Sequence, residues 1–119
     1  MNSENREKDF GEFRGGARMR KIAVGDKDLV FIKSVFLRHL GSRASLRLYA
    51  YGSRVDGSHS PSSDLDLLVF SEREVELSSL AFIREELEES DLSFCVDILD
   101  AASVDSLLRE KILCGAVEF

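Results

Sequence analysis

Cysteine is scarce in this chain: there are two, Cys95 and Cys114. Neither has a second Cys or a His close by at metal-ligand spacing, which argues against zinc, and two isolated thiols make no disulfide framework. Both are expected to be reduced core thiols. Long apolar runs are absent as well. No stretch approaches the roughly 20 residues of a membrane-spanning helix, and the opening segment MNSENREKDF lacks the apolar stretch of a secretory signal. The expected location is cytoplasmic, with no membrane contact. Positive charge is the third shortage. Sixteen Lys and Arg against 22 Asp and Glu leave a net charge of -6. Non-specific nucleic-acid binding depends on neutralising phosphates with basic side chains, so no direct nucleic-acid binding is expected. A nucleotide is not excluded, because a metal ion can supply the missing positive charge. Length is the last: 119 residues suit one domain, not a catalytic domain joined to a second substrate-binding one. An acceptor for any group-transfer reaction is therefore expected to be small or held by a partner.

Residues 1–21 are polar, mixed in charge and contain Gly11, Gly15 and Gly16 without sustained periodicity. They read as a mobile tail. Arg14, Arg18, Arg20 and Lys21 suggest a basic arm, but Glu4, Glu7, Asp9 and Glu12 dilute it. Residues 22–119 read as the domain. Asp26 or Asp28 is expected to cap a helix that runs to about His39, with Leu29, Ile32, Phe36 and Leu40 on one face and Gly41 as its stop. Residues 46–51 alternate as a strand does, and residues 54–63 form a Gly-, Ser- and Pro-rich loop. Residues 65–70 are a second strand. Residues 76–89 form an amphipathic helix with Leu77, Leu80, Ile83 and Leu87 inward. Residues 93–99 are a third strand, and Ser103 or Asp105 opens a last helix carrying Val104, Leu107, Leu108 and Ile112. This order implies an α+β fold, a small mixed β-sheet with helices packed mainly on one side. Val117 and Phe119 lie beyond this last helix, and they either meet a partner or fold back onto the domain's own core.

Asp64 and Asp66 flank Leu65 at the start of the second strand. Positions i and i+2 of a strand share a face, so both carboxylates point the same way. Two such charges repel unless a cation lies between them, and paired hard oxygens suit Mg²⁺ or Mn²⁺. A lone Asp-x-Asp is nonetheless common, and the bland reading is a solvated strand start. A calcium loop of the EF-hand type needs Gly at its sixth position, where this chain has Val69. Asp97 sits in the apolar run Phe94-Cys95-Val96-Asp97-Ile98-Leu99. A charge buried in a strand is costly unless paired or bound to a metal. Either it joins Asp64 and Asp66 in a three-carboxylate site, or it ends its strand by capping a neighbour or pairing with an arginine. Gly52-Ser53 directly follows the first strand. Glycine permits close approach of a phosphate to the backbone and the Ser hydroxyl can donate to it; the plainer reading is a turn with a serine cap.

The spacing of these pieces is more specific than any one of them. Gly52-Ser53, ten residues, Asp64-Leu65-Asp66 and then Asp97 in an apolar strand resemble the DNA polymerase β-like nucleotidyltransferase superfamily. Within it the chain is most similar to the minimal nucleotidyltransferases, the MntA-type antitoxins paired with HEPN-domain toxins. The resemblance runs from about Asp26 to the C-terminus, with residues 103–114 matching the family's last helix. It implies that Asp64 and Asp66 bridge two Mg²⁺ ions, with Mn²⁺ as the alternative. Asp97 would hold the catalytic ion and help deprotonate the attacking hydroxyl. Gly52 and Ser53 would bind the β- and γ-phosphates of ATP, with Arg54 either assisting them or bracing the loop through an ion pair. His59 is read as a solvent-exposed loop residue. The implied activity is transfer of AMP from ATP to a HEPN-type toxin. The alternatives are a non-catalytic binding antitoxin and a small-molecule, antibiotic-type adenylyltransferase; a polymerase is disfavoured by size and acidity. The chain departs from the family pattern at one position: a second basic residue often follows two after the arginine, and here that place holds Asp56. The sequence is compatible with an oligomer.

Overall fold

A computed structural model describes residues 21–41, 46–72 and 74–119. Apart from Lys21, the expected N-terminal tail lies outside the described residues. The chain runs α1 (Asp26–Leu40), β1 (Arg47–Tyr51), α2 (Ser53–Asp56), β2 (Leu65–Phe70), α3 (Leu77–Glu88), β3 (Val96–Asp100), a 3-10 turn (Ala101–Ser103), α4 (Ser106–Leu113) and β4 (Val117–Glu118).

The strands form one mixed sheet in the order β3-β2-β1-β4. β1 pairs antiparallel with β2 and with β4, while β2 and β3 are parallel. A parallel pair needs a crossover, and α3 supplies it. One face of the sheet carries Leu48, Ala50, Leu65, Leu67, Val69 and Ile98, all buried in a single cluster with Ile32, Val35 and Phe36 of α1 and Leu80, Ile83 and Leu87 of α3. The α+β expectation, with helices mainly on one side, holds. The alternate residues Tyr51, Asp66 and Asp97 thereby face the other way.

Local differences from the sequence reading have local causes. α1 is capped by Gly25 with no side-chain bond, so Asp26 and Asp28 sit in the first turn, where they complement the helix dipole, rather than at the cap. Val35 is buried and Leu29 only partly so. Gly41 ends the helix as expected, at φ 74° with its N–H on the Leu37 carbonyl at 2.8 Å. Leu77, expected inward, is 82% exposed. It is the first residue of α3, where no neighbouring turn exists to cover it. β3 begins at Val96 rather than residue 93 and ends at Asp100. Asp105 does cap α4, its carboxylate accepting the Leu108 N–H at 3.0 Å. Yet α4 buries none of its residues, and Leu107 is 78% exposed. Cys95 and Cys114 are free but exposed, so they are not core thiols. No helix among the described residues is long and apolar enough to cross a membrane.

The C-terminal residues complete the sheet. Val117 pairs with Ala50, and the Phe119 N–H donates to the Leu48 carbonyl at 3.0 Å. Both side chains pack against this domain's own core. Of the two readings of these residues, folding back is the one realised.

Candidate active site

The site begins where β1 stops. Gly52 takes φ 82°, ψ -152°, a conformation that side-chain-bearing residues avoid. The sharp change of direction lets the chain turn at once into α2, whose Val55 and Asp56 N–H groups both return to the Gly52 carbonyl at 3.0 Å. Gly57, left-handed at φ 90°, closes that single helical turn. A second feature makes Gly52 specific. A Cβ at this position would collide with Oδ2 of Asp66. The glycine thus clears space for a carboxylate that leans over the turn.

The loop that follows is held from beneath by Arg54, which is 6% exposed. Its Nε donates to the Ser63 carbonyl at 3.0 Å, Nη1 to Ala23 at 2.8 Å and Nη2 to Pro61 at 3.0 Å. The guanidinium also lies 4.4 Å from the centre of the Phe94 ring. All three nitrogens are committed to backbone carbonyls, so the bracing reading of Arg54 fits. The brace works through carbonyls instead of the expected ion pair. Asp56 is exposed and accepts from the Ser58 N–H at 2.8 Å and its hydroxyl at 2.6 Å. His59 is exposed, as expected.

Asp64 precedes β2 and is exposed; Asp66 lies within β2 and is partly buried. Parallel pairing of β2 with β3 sets Asp66 directly beside Asp97. Burial of Asp97 was expected from its apolar flanks and is not what the fold shows: Asp97 is exposed. β3 is an edge strand, and the face carrying Asp97 is the one turned away from α1 and α3. The buried acid of this strand is Asp100, which accepts the Val75 N–H at 2.9 Å and the Ala102 N–H at 3.0 Å and so ties two loops to the sheet. Register, not burial, brings Asp97 to Asp66.

The electrostatics are those of crowded negative charge. Burial, then Asp97, then Asp64 push the Asp66 carboxyl above its ordinary pKa. Tyr51, the cross-strand partner of Asp66, has its hydroxyl pushed up by burial and by Asp66 and Asp97. None of the three carboxylates pairs with a cation of a described residue. No three acidic, His or Cys side chains among the described residues close around one point as a finished metal cage. The donor set still fits a divalent ion: hard oxygens on one face, mutually repelling, and most relieved by positive charge placed between them.

Residues 41–118 match the family described as "Polymerase beta, Nucleotidyltransferase". The chain belongs to this nucleotidyltransferase family. Three solved structures illustrate the fold. A mutant of the toxin–antitoxin MntA-HpeT is 20% identical, covering 81% of this chain and 72% of its own, at TM-score 0.60. A toxin–antitoxin with AMP-PNP is 21% identical, covering 74% and 69%, at TM-score 0.59. A tri-AMPylated Shewanella oneidensis HEPN toxin in complex with MNT antitoxin gives 17% identity, 77% and 66% coverage and TM-score 0.53. No curated protein matches the chain.

The nucleotidyltransferase match takes in Gly52, Ser53, Asp64, Asp66 and Asp97 and leaves α1 outside it. These are the five that the sequence motif singles out. Tyr51 stands beside Asp66 through cross-strand register, and Lys111 of α4 lines a pocket with Tyr51 and Gly52; the motif includes neither. Nothing local to either residue marks it.

Proposed function

We propose that this nucleotidyltransferase moves AMP from ATP onto a tyrosine of a HEPN-type toxin, as the antitoxin of a toxin–antitoxin pair. The observation that carries the reading is the Asp66–Asp97 register pair, with Asp64 beside it and the Gly52 turn cleared for Asp66. The acceptor hydroxyl would give its proton up to Asp97 as its oxygen bonds to the α-phosphorus, and the bond from that phosphorus to the pyrophosphate leaving group breaks. In this scheme Asp64, Asp66 and Asp97 would hold two divalent ions, Mg²⁺ or Mn²⁺. Such ions, when bound, activate the acceptor hydroxyl and neutralise charge on the leaving group. Gly52 and Ser53 receive the β- and γ-phosphates, and Arg54 keeps their loop in shape from below. Support for the nucleotide and acceptor comes from the solved structures of similar fold, one with AMP-PNP and one with an AMPylated HEPN toxin.

A binding-only antitoxin is the second reading. Asp56 favours it, since an exposed negative charge two residues beyond Arg54 opposes a triphosphate. One assay separates the two. The protein is incubated with the product of its neighbouring gene, ATP and Mg²⁺, and both chains are weighed by mass spectrometry. Added AMP on a partner tyrosine, lost in an Asp64→Asn/Asp66→Asn double variant, supports transfer. Tight association without a mass change, with the double variant silencing the partner equally well, supports binding alone.

A further inference from the structure

Between the end of β1 and α4 lies a pocket of about 340 Å³ lined by Tyr51, Gly52, Leu108, Lys111, Ile112 and Gly115. It shares Gly52 with the candidate active site, and Tyr51 is the cross-strand partner of Asp66, so the pocket adjoins the carboxylates. Its size lies at the lower end of the roughly 300–1,000 Å³ of small-molecule sites. Its chemistry is divided. Leu108, Ile112 and the Tyr51 ring offer apolar surface, while Lys111 is the one charged side chain lining it.

The charge balance around the Gly52 turn makes Lys111 matter. Asp56, Asp64, Asp66 and Asp97 are all negative. Arg54 is the nearest cation in sequence, but its guanidinium is turned inward onto three carbonyls. Lys111 is exposed and pairs with no acid of a described residue. A ligand with a flat apolar body and a polyanionic chain suits both halves of such a pocket. A nucleoside triphosphate is that kind of ligand.

We infer that the Tyr51–Lys111 pocket is part of the nucleotide site, with Lys111 contacting the phosphate chain and Leu108 covering the nucleoside. The inference rests on the nucleotidyltransferase reading above and adds to it a binding role for α4. An ammonium–phosphate contact of this type is a charge-assisted hydrogen bond, and its loss costs about tenfold or more in affinity.

Calorimetric titration of the full chain in Mg²⁺ with two probes, ATP and inorganic tripolyphosphate, tests it. Lys111→Gln is expected to weaken both about tenfold, and Lys111→Arg to restore most of the loss. Leu108→Ser is expected to weaken ATP alone. Lys33→Gln, the same charge change on exposed α1, is expected to alter neither. Thermal melts establish that each variant folds, and Lys111 and Leu108 are exposed enough for the substitutions to be tolerated. ATP and tripolyphosphate bound by Lys111→Gln as tightly as by the unaltered chain would overturn the inference and leave the transfer reading standing. No Mg²⁺-dependent ATP binding by the unaltered chain would overturn both.

Discussion

Gly52 and Asp66 are built against each other. A Cβ on Gly52 would strike Oδ2 of Asp66 and lie 3.4 Å from its Cγ, and the Gly52 backbone is itself at φ 82°. The end of one strand and a carboxylate on the next are therefore a single unit, and the glycine serves both the turn and the acid.

Gly52→Ala is expected to lower stability by about 1–3 kcal/mol for the backbone strain, with a further loss as Asp66 is displaced, and to abolish nucleotide transfer. Gly41→Ala is the matched control, because Gly41 has φ 74° but open space around its would-be Cβ. The two variants are compared by denaturant melts. Equal losses would mean that Asp66 adds nothing to the requirement for glycine.

Asp66→Asn is expected to abolish transfer while leaving the metal-free protein at least as stable at neutral pH. The sign follows from the raised pKa of the folded-state carboxyl. A raised carboxyl pKa means that the native state binds its proton more tightly than the unfolded chain. Ionisation therefore opposes folding as pH rises from the unfolded value toward the folded one. Removing the charge removes that opposition. Mg²⁺ is expected to raise the melting temperature of the unaltered chain and not of Asp66→Asn; identical shifts in both would count against a metal at this residue.

Arg54→Ala is expected to cost about 3 kcal/mol, since three carbonyls lose their donors beneath the loop. Arg54→Lys should recover little, because an ammonium lacks the planar fork that reaches Ser63, Ala23 and Pro61 together. A variant with unchanged stability and only a raised KM for ATP would show Arg54 to be a nucleotide contact instead of a brace.

Acid should loosen the contact between α1 and α3. Glu86 is held by Arg38, with Nη1 at 3.1 Å, and by His39 at 2.9 Å. These hydrogen bonds, Arg38 first, lower its pKa from 4.5 to about 2. A depressed carboxylate stabilises the fold above its unfolded pKa and loses that contribution as pH falls through the folded one. The window is therefore between 4.5 and about 2. Glu86→Gln should flatten the pH dependence of the melting temperature across it; an unchanged slope would remove Glu86 from the acid response.

How much of this was legible beforehand follows from the range over which each signal acts. The bounds of β2, the buried Ile32, Phe36 and Leu40 of α1 and Leu80, Ile83 and Leu87 of α3, the stop at Gly41 and the cap at Asp105 come from local periodicity and backbone preference, and the chain displays these directly. So does the Gly52-Ser53 to Asp64-x-Asp66 spacing, because a turn and the strand after it are contiguous. Asp97 stands out in the sequence by its apolar flanks, which imply burial. It is exposed, and only the β2–β3 register places it beside Asp66. Tertiary structure also turned Arg54 inward, since its three carbonyl partners converge only once the loop and residue 23 have folded together. It chose the domain's own sheet for Val117 and Phe119, and it set Lys111 across a pocket from Gly52, 59 positions earlier in the chain. These are contacts between distant segments, and the free energy that selects among them belongs to the packed sheet as a whole, not to any stretch of residues that could announce it.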